Sequence, residues 1–366
     1  MIKIIEPYFS FDDIEADFKK IFSSGVFTKG KYNIELRKQL CQFTNNQNSY
    51  LTTSATTALY ISLMALNLPR GSLVGVSDFT WPASAYVIVQ AGLKPIMVDV
   101  DVDTFNVSID TLSEVEEDIK ALIFVDALGN TSNIDEIYSY CIENNIFLIE
   151  DAACSFGSKV NEKNIGSYSD VSCVSFHPRK LLNSGEGGCI VTNNEKLSEV
   201  LEIQLNVGAS LSSNKLFPDF VDMGYNYRLP ELQCAMISHQ IKIIESIVLS
   251  RHKIYADYCN SLLPLGFKSQ KFNTNTLSNI QSAVFVVPET IKRDELIIFL
   301  RDRGVESILG TYSLSIQPYF KENFFSAPLK NSVYLQENTI SLPCHDNFDI
   351  SIVIDAIKEF AQGCLE

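Results

Sequence analysis

Between about residues 45 and 195, short apolar runs alternate with stretches in which apolar positions recur every three or four residues. That alternation predicts βα units built around a mainly parallel sheet. Strands are expected at 72–77, 95–100, 121–128, 146–151, 171–176 and 188–193, and helices at 55–66, 83–92, 108–118, 133–145 and 195–206. Several of the strand runs are apolar almost throughout, as suits strands covered on both faces. Residues 229–263 read as one or two long amphipathic helices. After Pro264 the pattern changes to a strand at 282–288, a helix at 293–304 and a last helix at 350–361. The expected architecture is α/β: a three-layer, mainly parallel sheet in a large domain (12–245), and a smaller C-terminal α/β domain (246–366) on which residues 1–11 pack.

Composition narrows the function classes. A net charge of −15, from 44 acidic and 29 basic residues, opposes general attraction to nucleic acid or anionic lipid. A small-molecule partner is the better starting point. The nine cysteines are scattered singly with no C-x-x-C pair, and the four histidines lie far apart, so neither a disulfide framework nor a metal site is expected. Reduced thiols of this kind fit a cytoplasmic protein. The N-terminal residues lack the apolar core of a signal peptide, and no apolar run is long enough to predict a membrane span.

Five stretches carry candidate chemistry. In TTSATTAL (52–59) hydroxyl residues precede an apolar helix, which is either ordinary capping or an anion site made of free N–H groups. In FLIEDAACSFGS (147–158) two carboxylates end a buried strand; strand alternation sends Glu150 and Asp151 to opposite faces, so they do not form an acid–base pair. One carboxylate at that edge sits where parallel sheets bind ligands. Trp81, the sole tryptophan, follows a strand in DFTWPASA and is either core or a stacking ring. Tyr225, Asn226, Tyr227 and Arg228 cluster just before a helix, either as packing or as part of a site. Lys180 lies between Pro178-Arg179 and the turn Gly185-Glu186-Gly187-Gly188. Together these supply a phosphate cradle, a flat ring, a carboxylate and a lysine at strand ends of one sheet, which is the set pyridoxal phosphate requires.

The order and wording of these motifs resemble the DegT/StrS-type sugar aminotransferase family, a branch of the fold type I pyridoxal-phosphate enzymes. The likeness runs from SSGVFTKG (23–30) through SATTAL, DFTWPASA, VDVDVDTFNV, IEDAACSFGS, SFHPRKLLNSGEGG and GYNYRLPELQ to SLPCHDNFD (341–349). The resemblance implies that Lys180 forms the Schiff base with the cofactor and shuttles the proton, and that Asp151 pairs with the pyridinium nitrogen. It places Trp81 on the ring, Cys154 near the ring hydroxyl, and Ala55, Thr56 and Ser175 on the phosphate. Asn226 would reach the phosphate of the neighbouring subunit, implying a homodimer with shared sites, while Glu186 and Tyr312 would lie on the sugar side. The implied reaction moves an amino group from an amino acid, L-glutamate by analogy, to a nucleotide-linked keto-sugar, with pyridoxamine phosphate between the half-reactions. This would serve amino-sugar biosynthesis, in polysaccharide or antibiotic pathways alike.

Four positions depart from the family pattern: Ala55 where Gly is usual, Cys154 where Gln or His is frequent, and Asp126 and Ser315 where His is frequent. The last two bear on the substrate more than on the cofactor. A sugar dehydratase of the same family would carry His in place of Lys180, and His177 stands three positions too early for that. A noncatalytic cofactor-binding regulator would need an output module, for which the chain leaves little room. A lyase or desulfurase would call for a cysteine in an electropositive setting, and none stands out.

Overall fold

The computed structural model describes residues 1–210, 216–324 and 327–364. Its centre is a seven-stranded sheet: β1 (Asn48–Thr52), β2 (Leu73–Ser77), β3 (Lys94–Val98), β4 (Ala121–Val125), β5 (Phe147–Asp151), β6 (Val171–Ser175) and β7 (Gly188–Thr192), in the order β1-β7-β6-β5-β4-β2-β3. Only β7 runs antiparallel to its neighbours. Every residue of β4, β6 and β7 is buried, because helices cover both faces. Alternation divides the side chains between the two covering layers. Val74, Val76, Ile123, Ile149 and Cys173 pack with residues of helices Ala55–Ala65, Ala83–Gln90 and Glu195–Leu205. On the other face Val174, Cys189 and Val191 meet helices Lys31–Thr44 and Glu231–Ile241, and Leu122, Phe124 and Leu148 meet helix Ile134–Glu143.

The three-layer, mainly parallel sheet is therefore as expected. The helix expected at 108–118 is shorter, Ile109–Ser113. Glu116, Glu117 and Asp118 follow it, and negative charge is unfavourable at a helix C-terminus. The strand expected at 121–128 stops at Val125, and Ala127–Gly129 forms a tight turn with Leu128 at φ 61°. The long amphipathic segment is two helices, Glu231–Ile241 and Ile244–Leu262. Outside those expectations stand β1 and helices Phe11–Ser24 and Lys31–Thr44.

A second, antiparallel sheet joins Lys268–Ser269, Ala283–Val286, Thr339–Leu342 and Ile308–Leu309, and shares a core with helices Ile244–Leu262, Arg293–Asp302 and Ile350–Gly363. The first residues of the chain lie against it, with Ile2 bridged to Val305 and the Cys344 N–H donating to Ile4 O (3.2 Å). Arg251, 1% exposed, ties these pieces together. Its guanidinium donates to Ile280 O (2.7 Å), Gln281 O (2.7 Å), Cys344 O and the Tyr8 hydroxyl (3.1 Å). It is a buried cation held by carbonyl dipoles. Replacing it strands those acceptors, so Arg251→Ala is expected to lower unfolding free energy by about 3 kcal/mol or more in urea titrations.

Candidate active site

Ala55 and Thr56 follow β1, Trp81 follows β2, Asp151 ends β5 with Cys154 just after it, and Ser175 ends β6 with Lys180 just after it. After β1, Ser54 caps helix Ala55–Ala65: its hydroxyl accepts from Thr57 N (3.1 Å), its own N–H donates to the Thr57 hydroxyl (3.1 Å), and its carbonyl accepts from Ala58 N (3.1 Å). Helix geometry leaves the N–H groups of Ala55 and Thr56 without an intrahelical acceptor, aligned for an anion. Ala55 is the first helical residue, its φ is not positive, and its methyl group is tolerated. The tight spot is Gly188 instead. A Cβ there would lie 2.5 Å from the Ser54 carbonyl carbon and 2.7 Å from Ala55 N, so β7 can approach this turn only through glycine. Ser175, paired with Gly188 across β6 and β7, closes the same end, its hydroxyl accepting from His177 N (3.3 Å).

Asp151 ends β5 nearly buried, at 5% exposure. Its carboxylate accepts from the Ser84 hydroxyl (2.7 Å) and Ala153 N (3.2 Å), and burial raises its pKa against those hydrogen bonds and the Lys180 charge. The Lys180 ammonium donates to Cys154 Sγ (2.9 Å). Trp81 is 64% exposed, which removes it from the core, and its ring meets Tyr312 at 5.9 Å and 62°. Glu186 is exposed on the turn after Lys180; its charge opposes the burial that lowers the pKa of His177. Asn226 is exposed on an irregular stretch between Tyr225 and Tyr227, whose rings stack at 5.4 Å beside Tyr60. Among the described residues no hydrogen bond joins Asn226 to Lys180.

Sequence reasoning missed the residues that hold these in place. Gln281 brackets Lys180, its side-chain amide donating to Arg179 O (2.7 Å) and accepting from Leu181 N (3.2 Å). Asn279 donates to Cys154 O (2.8 Å), and Ser84 orients Asp151. The two departures from the family pattern at Asp126 and Ser315 are internal, since both residues are 0% exposed. Ser315, with Ser313 and Ser332, surrounds the buried Asp78 carboxylate and fastens segment Tyr312–Ser313 to Phe79–Thr80. Asp126 accepts from the Ser155 hydroxyl and faces Glu150, which accepts from Gly166 N (2.6 Å). Glu150 and Asp151 do lie on opposite faces, but Glu150 is thereby brought to a second aspartate.

Lys180, bonded to Cys154 and close enough for its charge to act on the buried strand-end carboxylate of Asp151, follows a strand of a seven-stranded α/β sheet. The chain belongs to the DegT/DnrJ/EryC1/StrS aminotransferase family, whose model matches residues 11–358. The family is pyridoxal-phosphate-dependent, and the protein is an aminotransferase of fold type I. Among solved structures it is similar to a DegT DnrJ EryC1 StrS aminotransferase from Brucella abortus (27% identity, 96% and 95% of the two chains, TM-score 0.87). It is also similar to the putative sugar aminotransferase Spr1654 from Streptococcus pneumoniae, solved in PLP and PMP forms (22% identity, 98% of each chain, TM-scores 0.90 and 0.91). A third is Helicobacter pylori PseC, an aminotransferase involved in the biosynthesis of pseudoaminic acid (21% identity, 98% and 99%, TM-score 0.89). The residues present fit the cofactor: free N–H groups at Ala55 and Thr56, a glycine where the turn meets β7, and a carboxylate without a cation bonded to it. Among the described residues no cluster could hold a metal ion, and no helix is long and apolar enough to cross a membrane.

Burial raises the pKa of Asp126 well above its ordinary value, with the Glu150 charge adding to the effect. A raised carboxyl pKa gives stability that is complete below the unfolded value, about 4, and is lost as pH rises through the folded value. Asp126→Asn, neutral at every pH, is therefore expected to flatten the fall in Tm between mildly acidic and neutral pH. Parallel Tm–pH curves for the two proteins would contradict this.

Proposed function

We propose that the protein transfers an amino group from L-glutamate to the keto group of a nucleotide-linked sugar, as a homodimer with shared sites in the cytoplasm. Pyridoxal phosphate, when bound, supplies an electron sink that makes the substrate α-proton removable. The chain's own residues do the rest. The Lys180 Nζ would take the substrate α-proton and hold it as an ammonium, for which Cys154 Sγ offers a resting partner. Asp151, fixed by Ser84 and Ala153 N, would hold the proton on the pyridine nitrogen; fixed charge of this kind in a dry site is commonly a large part of catalysis. Ala55 and Thr56 N–H groups and the Ser175 hydroxyl would bind the phosphate, and Trp81 would cover the ring. Glu186 and Tyr312 face the sugar.

A homodimer is supported by what one chain leaves open. Asn226 is exposed, and the nearby Phe217, Phe220 and Met223 are 74%, 73% and 64% exposed. Apolar side chains grouped this way call for a covering partner, and in the proposed dimer Asn226 reaches the neighbour's cofactor phosphate.

The observation that carries the reading is Lys180 Nζ at Cys154, close enough to Asp151 for its charge to act there. The visible spectrum of the cofactor-loaded protein tests it. Adding L-glutamate is expected to replace the band of the lysine-bound cofactor by that of its aminated form; an unchanged spectrum would refute glutamate as donor. Lys180→Ala is expected to cut turnover by at least about 10³-fold, as for loss of an acid–base group, with an unchanged far-UV circular dichroism spectrum. An active variant would overturn the assignment of Lys180.

A further inference from the structure

Folding sets the sulfur of Cys154 against the amine of Lys180, at 2.9 Å. Atoms that react with each other are poised at roughly 3–3.5 Å, so this pair is already within reach. Both residues are partly exposed, which lets a small solute enter. The other cysteines are placed differently. Burial raises the thiol pKa of Cys141, Cys173, Cys189, Cys234 and Cys344, which keeps them protonated and unreactive. Burial acts in the same direction on Cys259, and the Cys41 thiol donates to Gln47 O (3.6 Å). Among the described residues only Cys154 is hydrogen-bonded to an amine.

One short segment holds both partners. Asn279 donates to Cys154 O (2.8 Å) and Phe156 O (2.9 Å), while Gln281 spans Lys180, donating to Arg179 O and accepting from Leu181 N. The two gripping residues are locked to each other, since Gln281 N donates to Asn279 Oδ1 (2.8 Å). Between them Ile280 sits in the left-handed region (φ 51°), which is costly for a β-branched side chain, and Arg251 holds its carbonyl (2.7 Å). Three consecutive residues thus fix the backbones that carry the sulfur and the nitrogen. The approach of the two atoms is set by the fold, not by a chance meeting of two loose side chains.

We propose that Cys154 and Lys180 are a modification site, joined by a reversible sulfur–nitrogen bond when the protein meets hydrogen peroxide. In the first step the thiol sulfur takes one oxygen of the peroxide: the O–O bond breaks, water leaves, and the sulfur, oxidised by two electrons, becomes a sulfenic acid. In the second the Lys180 nitrogen closes on that sulfur. The S–O bond breaks, the hydroxyl leaves as water with one proton of the ammonium, and another proton goes to solvent. Sulfenic acids condense with a nearby nitrogen in this way, and the cap keeps the sulfur off the irreversible steps of oxidation. Two equivalents of a small thiol restore both side chains and become a disulfide. The inference rests on the reading above only for its consequence, that Lys180 cannot attach to the cofactor while the bond lasts.

The test is peptide mass spectrometry of the full chain loaded with pyridoxamine phosphate, which leaves Lys180 without a cofactor bond, after treatment with peroxide and then trypsin. A linked pair is expected, residues 121–159 with residues 180–196, lighter by two hydrogens than the two peptides together. Fragment ions are expected to place the bond at Cys154 and Lys180, and dithiothreitol to remove it. Cys154→Ser abolishes the pair, and Lys180→Arg leaves the oxygen on Cys154 with the far-UV circular dichroism spectrum unchanged. Oxidised Cys154 without a bond to Lys180 in the wild type, or no oxidation of Cys154, would overturn the proposal. The protein loaded with pyridoxal phosphate is expected to yield no linked pair, because Lys180 is then occupied. An equal yield in both forms would leave the bond standing and count against Lys180 as the cofactor's anchor, so the two readings stay distinguishable.

Discussion

Asp78, Asp126 and Asp151 lie at or just beyond the carboxyl ends of β2, β4 and β5, and each is held by serine hydroxyls instead of a bonded cation. Asp78 has Ser313, Ser315 and Ser332; Asp126 has Ser155; Asp151 has Ser84. Hydroxyls stabilise a buried carboxylate without cancelling its charge. The charge at Asp151 therefore remains available to whatever enters the crevice, and Lys180 is the cation whose field reaches it. Had an arginine been paired with Asp151, the same fold would hold a neutralised site.

Much of this was legible in the sequence. The apolar runs located six of the seven strands of the large sheet, and the hydroxyls of TTSATTAL foretold the cap at Ser54. What was not legible is what depends on contacts far along the chain. Glu231 caps a helix two hundred residues away, Arg251 links residues near both ends, and Gln281 grips the loop around Lys180 from a different sheet. No local pattern announces such residues, because their partners are chosen by topology. The exposure of Trp81 was equally beyond reach, since a tryptophan after a strand reads the same whether it is core or ligand-facing.

The departures from the family pattern divide by burial. Ala55 is absorbed because the position is helical, and Asp126 and Ser315 are absorbed into internal hydrogen-bond clusters. Of the four, Cys154 alone is bonded to Lys180. A thiol is a weak acceptor, so it releases the ammonium more readily than a carboxylate or an amide oxygen would.

The Gln281 side chain has a mechanical meaning. It leads into strand Ala283–Val286 of the antiparallel sheet, yet it holds the peptide groups on both sides of Lys180. Gln281 is in turn gripped at its carbonyl by Arg251. Any rocking of that sheet against the seven-stranded one therefore pulls on the lysine's own backbone. Closure over a substrate would reposition the amine as it shut, through a lever one side chain long.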